Sequence, residues 1–80
     1  MYIKPAKVVE KKLGRENAFG QYYDGVVEID PRQSPKDYLD TLIHEHLHHL
    51  FGDLTEEEVV VAANQLASAI WAKNYRRIVK

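Results

Sequence analysis

The 80-residue sequence contains no cysteine. Disulfides and thiolate metal sites are thereby excluded, so any staple must come from histidine and carboxylate ligands or from a second chain. This matters because residues 1–80 read as one small domain, and a chain of this length has a thin margin of core. An excess of charge of one sign is also lacking: 11 Lys and Arg stand against 12 Asp and Glu, a formal net charge of −1. That balance gives no electrostatic case for nucleic acid, and none is expected as a partner. No apolar run is long enough to suggest a membrane span, and the opening Met1-Tyr2-Ile3-Lys4-Pro5 has no signal-peptide core. The expectation is a soluble, cytoplasmic protein without membrane contact. Internal repeats, low-complexity tracts and linkers are missing too.

What is present falls into strands first and helices second. Val8 and Val9 among lysines suggest a strand at about 6–12, closed by Gly14, with a turn at 14–18. The runs FGQYY and VVEID flank Asp24-Gly25, a type I′ hairpin signal, because both central residues of that turn need positive φ. Strands are expected at about 18–23 and 26–29, with Asp30-Pro31 as the stop. Val27 and Ile29 then share an apolar face, and Val26 and Glu28 a wetter one.

Ser34-Pro35-Lys36-Asp37 reads as a capped helix start, and Gly52 suits the position after its end, predicting a helix over about 35–51. Leu39, Leu42, Ile43, His46 and Leu50 make its apolar stripe. His44, His48, Thr41 and Glu45 cover a different arc, facing a cleft. After Asp53-Leu54, Thr55 with Glu58 forms a second capping box, and Glu56, Glu57 and Glu58 suit the positive end of the helix dipole. This helix is expected to reach about residue 77. Val59, Ala62, Ala63, Leu66, Ile70 and the stem of Lys73 form its buried stripe, with Arg76, Arg77 and Lys80 at its C-terminal end. The fold class is α+β: a small antiparallel sheet of about three strands packed against two helices.

All four histidines lie in the window His44-Glu45-His46-Leu47-His48-His49, which contains the H-E-x-x-H pattern. On a helix, residues four apart sit about 40° from each other, so His44 and His48 face one way and can share a metal ion. Glu45 is about 100° from His44, on the flank, where it can reach a water on the metal. That is the ligand-plus-base arrangement of a zinc peptidase. His46 projects nearly opposite His44, onto the apolar stripe, and reads as a hydrogen-bonded histidine. His49 lies off both faces.

A catalytic zinc has three protein ligands and one open position. With no cysteine and no further histidine, the third ligand must be a carboxylate, and Asp53, Glu56, Glu57 and Glu58 follow the helix. Glu56 leans towards the buried stripe of the second helix and is the first choice; Glu58 is next and Glu57, which points away, third. The plainer reading of these glutamates is that they favour a helix N-terminus, and at least two of them must do only that.

The stretch from Val27 to Trp71 resembles the small zincin-like metallopeptidase domains of phages and prophages, akin to minimal SprT-like and ImmA/IrrE-like proteins. The resemblance rests on the strand, Asp30-Pro31, the capped helix with His44-Glu45-x-x-His48, the short turn and the acidic helix start. It implies a gluzincin-type site with Zn²⁺ on His44, His48 and a downstream glutamate. Glu56, followed by Val59 and Ala63 at the third and seventh positions after it, fits that frame. It further implies that the strand at 26–29 is an edge along which an extended peptide pairs.

In this reading Glu45 is the general base for hydrolysis of a peptide or protein substrate, and the candidate oxyanion donors are Tyr22, Tyr23, Tyr75 and His49. Two rivals stand beside it. One is a non-catalytic module stapled by zinc, stabilised by the metal without turnover. The other is a metal-free helical pair on a small sheet.

Overall fold

In the computed structural model, which describes residues 2–14 and 18–78, three strands precede two helices. The order is β1 (Lys7–Glu10), β2 (Gly20–Tyr23), β3 (Val26–Ile29), α1 (Pro35–Leu50) and α2 (Glu56–Ala72). The α+β class is therefore as the sequence suggests. Of the expected turn at 14–18, residues 15–17 lie outside the described residues, as does Lys80.

The β2–β3 hairpin forms as its turn chemistry requires: Asp24 and Gly25 take φ of 47° and 79°. Tyr22 stands opposite Val27 and Gly20 opposite Ile29. The strand order is β1-β3-β2, with β1 parallel to β3 and β2 antiparallel to it. Two expectations are corrected here. The sheet is mixed rather than antiparallel, and residues 26–29 form the central strand rather than an edge. The physical reason is burial: Val27 and Ile29 are fully buried, and a strand between two neighbours satisfies both sides of its backbone while burying them. The edges are β1 and β2.

The loop after β3 is fixed by Asp30. Its carboxylate accepts from the backbone N–H of Leu13 at 2.9 Å, from the backbone N–H of Arg32 at 2.9 Å, and from the Arg32 guanidinium at 2.9 and 2.7 Å. These bonds, the Arg32 guanidinium foremost, hold the Asp30 carboxyl well below the ordinary carboxylate range. They also draw Leu13 into the core, where it is fully buried. Asp30 thus anchors two segments as well as ending a strand.

Helix α1 lies between the sheet and α2; α2 packs on α1 and not on the strands. The Ser34 hydroxyl caps α1 by accepting from Asp37 N–H at 3.2 Å. The helix closes through Phe51 N–H to the Leu47 carbonyl, with Gly52 at the position after its end as expected, though without a positive φ. The expected apolar stripe is redistributed because α1 has neighbours on two sides. Leu47 is buried and packs with Ile43 against Val59 and Ala63 of α2. Leu50, expected inside, is exposed. Leu39 and Leu42 line an apolar groove of about 600 Å³ with Val8, Ile70 and Trp71.

In α2 the Thr55–Glu58 capping box is complete, with Glu58 N–H to Thr55 Oγ1 at 3.1 Å and Thr55 N–H to Glu58 Oε1 at 2.9 Å. The buried positions are Val59, Ala63 and Ala67, whereas Leu66, expected inside, is exposed. The helix ends at Ala72 rather than near 77. Asn74 takes φ 64°, its N–H bonds the Trp71 carbonyl, and Tyr75 N–H bonds the Ile70 carbonyl, a Schellman closure. Asn is the residue, after Gly, that accepts this conformation most readily. Arg76 and Arg77 therefore lie beyond the helix. No helix among the described residues is long and apolar enough to cross a membrane.

Candidate metal centre

The site forms where α1, the start of α2 and the edge strand β2 meet. Its cleft, of about 550 Å³, is lined by Gly20, Gln21, Tyr22, His44, Glu45, His48, Gly52 and Glu56. His44 and His48 sit one helical turn apart with ring centroids 5.1 Å from each other. The turn Gly52-Asp53-Leu54, closed by Leu54 N–H to the Phe51 carbonyl at 3.1 Å, swings α2 back so that its first residue faces both rings. Glu56 Oε1 lies 2.7 Å from His44 Nε2, and Oε2 lies 2.9 Å from His48 Nε2.

One ligand atom from each of His44, His48 and Glu56 falls within 4.8 Å of the others. Two imidazoles and a carboxylate are a suitable donor set for zinc, whose tetrahedral ligands at their usual bond lengths sit about 3.3 Å apart. The Glu56 side chain is 64% exposed, so it is free to open the small extra distance. The residues present fit the ion. Among the described residues no other such group of three exists.

The remaining acidic candidates are placed elsewhere. Glu58 is held in its capping box, Glu57 lies on the outer side of α2 with Val61 and Gln65, and Asp53 is exposed in the turn. The geometric choice among the three glutamates is thus Glu56.

Glu45 is buried beside this group. Burial pushes its carboxyl above the ordinary value; the positive character of His44 and His48 pulls it down and the Glu56 carboxylate pushes it up. A carboxylate whose basicity burial raises, on the edge of a cleft, is placed to accept a proton.

Gly20 explains how Glu45 and β2 come so close. A Cβ there would overlap Thr41 Cγ2 and stand 3.2 Å from Glu45 Cγ and 3.3 Å from the Glu28 carbonyl. Sequence reasoning missed Gly20, although glycine inside a strand is a sign of close approach. The Asp30 N–H to Phe19 carbonyl bond sets the hairpin's alternation. Phe19, Gln21 and Tyr23 therefore bond towards β3, and the amides and carbonyls of Gly20 and Tyr22 point to the open edge beside the cleft.

The proposed oxyanion donors are not drawn to the histidine pair. The Tyr22 ring lines the cleft, but its hydroxyl meets His49 Nδ1 at 3.0 Å and accepts from Gly25 N–H at 3.2 Å. His49 Nε2 lies 2.6 Å from the Lys4 carbonyl, so both its nitrogens are engaged, Nε2 tying the N-terminal segment to α1 and Nδ1 tying β2 to it. Tyr23 donates to Glu28 on the opposite face of the sheet, and Tyr75 lines the apolar groove. His46 is half-buried with Nδ1 2.9 Å from the Leu42 carbonyl, a helix-internal contact apart from the metal group.

Comparisons with protein-family models, with curated proteins and with solved structures return no match.

Proposed function

We propose that this chain is a zinc-dependent metallopeptidase of the zincin type, acting on peptides or proteins in the cytoplasm of a bacterium or of a phage-infected cell. The observation that carries the reading is the convergence of His44 Nε2 and His48 Nε2 on the single carboxylate of Glu56, with Glu45 buried alongside. His44, His48 and Glu56 hold the ion. Zinc bound there supplies Lewis acidity and makes water a stronger acid. Glu45 accepts the proton of the attacking water and delivers it to the leaving amine, a task suited to a carboxyl whose basicity burial has raised. An extended substrate pairs with the outward amide and carbonyl groups of Gly20 and Tyr22 on β2, which brings its backbone across the mouth of the cleft. The resemblance of the stretch from Val27 to Trp71 to phage and prophage metallopeptidase domains, which rests on its motif, suggests the same assignment.

The test is turnover of a fluorogenic peptide library by the zinc-loaded chain. Wild type should cleave, whereas Glu45→Gln should retain zinc and lose cleavage. Equal turnover in Glu45→Gln would remove Glu45 as the base. A second reading, a zinc-stapled module without turnover, is favoured by the smallness of the core, in which, among the described residues, Leu47, Val59 and Ala63 form the buried cluster between the helices. It predicts a large fall in thermal stability on chelation and no cleavage by any variant.

A further inference from the structure

Helix α2 is the outer layer of the molecule, and its solvent side is unusual. Between Val59 and Ala72 there is no charged residue, although eight of those positions are exposed and 29% of the whole sequence is charged. Leu66 is 47% exposed and Val61 57%. Surface helices usually carry charged residues along such a face, whereas here its exposed polar groups are the uncharged Asn64, Gln65 and Ser68. The charges are gathered at its two ends, with opposite signs: Glu57 and Glu58 at the start, beside the Glu56 held by the histidines, and Lys73 and Arg76 at or just beyond the end, beside the Arg77 paired with Glu10.

We propose that α2 pairs antiparallel with α2 of a second copy of this chain about a two-fold axis. A charge pattern that is acidic at one end and basic at the other is self-complementary only in that orientation. The helical repeat fixes a register. With the axis between Gln65 and Leu66, Ala62 of one copy faces Ala69 of the other, Leu66 lies next to its own counterpart, and Glu58 faces Lys73 at both ends. The alanines let the helices approach closely around Leu66. Neither Glu58 nor Lys73 has an ion-pair partner among the described residues, and the Glu58 Oε2 atom is free of the capping box. Glu56 lies well round the helix from this face, so the histidine cleft stays open in the dimer. The pairing is independent of the metal reading.

Sedimentation equilibrium of the full chain over a concentration series, with and without zinc, tests this. The expected species has twice the 9.3 kDa chain mass. Leu66→Glu should give a monomer with an unchanged circular dichroism spectrum. Lys73→Glu and Glu58→Lys should each weaken self-association about tenfold, and an equimolar mixture of the two should restore it, because each supplies the charge the other lacks. A monomeric wild type at every concentration, a dimer untouched by Leu66→Glu, or a mixture no tighter than its parts would overturn the proposal.

Discussion

Replacing Gly20 by alanine perturbs the joint between sheet and site with a single methyl group. Backbone entropy alone favours the change, since glycine within a strand is about 0.5–1 kcal/mol worse than alanine. Sterics oppose it. Gly20 does not use positive φ, so nothing in its own backbone forbids a side chain. The new Cβ would instead overlap Thr41 Cγ2 and crowd Glu45 Cγ at 3.2 Å. Thr41 cannot turn aside freely, because its hydroxyl donates to Gln33 Oε1 at 2.7 Å, and Gln33 in turn donates to the Phe19 and Asp30 carbonyls. Overpacking of this kind costs about 1–3 kcal/mol. The net loss is then about 0.5–2 kcal/mol, a fall in melting temperature of roughly 3–12 °C for a domain this small. Thermal unfolding followed by circular dichroism reads it. Thr41→Ser, which removes Cγ2 and keeps the hydroxyl, should recover most of the loss in the double variant. A Gly20→Ala protein as stable as wild type, or a double variant no better than the single, would refute the close approach of α1 to β2.

Glu56→Ala should abolish stoichiometric zinc binding in metal analysis while leaving the helix content intact. Glu58→Ala should do the reverse, keeping zinc but losing the Thr55 N–H bond of the capping box and about 1 kcal/mol of stability. Asp30 makes stability depend on acid. Its carboxyl is depressed in the folded state, so its contribution is fully present above the unfolded-state value of about 3.9 and is lost as pH falls below it. The urea midpoint of wild type should therefore drop between about pH 5 and pH 2, and that of Asp30→Asn should be lower at neutral pH and flatter towards acid. A parallel fall in both proteins would assign the acid sensitivity to other carboxylates.

The features legible in the sequence are those decided within a few residues. Asp24-Gly25 dictates its hairpin because only such a pair accepts two positive φ values, and Ser34 and Thr55 dictate helix starts because their hydroxyls meet amides three positions on. The facing of His44, His48 and Glu56 is also close to local: one turn of helix, a short loop and one more residue set it. Strand order was not legible, because the parallel pairing of β1 with β3 is made across an intervening strand and no local signal encodes it. The faces of α1 were only half legible. A single periodic stripe describes a helix with one neighbour, whereas this one divides its contacts between Leu47 against α2 and Glu45 against β2. The end of α2 was written in Asn74, a weaker signal than the glycine that usually marks such a stop, and Gly20 carried the close approach of strand and helix without any motif around it.

The most direct measurement is the metal content of the purified chain, wild type beside His44→Ala. The expected result is one zinc per chain in wild type, removed by the substitution and by chelation, with a lower melting temperature in both cases. A wild type that binds no zinc, or a His44→Ala variant that binds it equally well, would contradict a centre built on His44, His48 and Glu56.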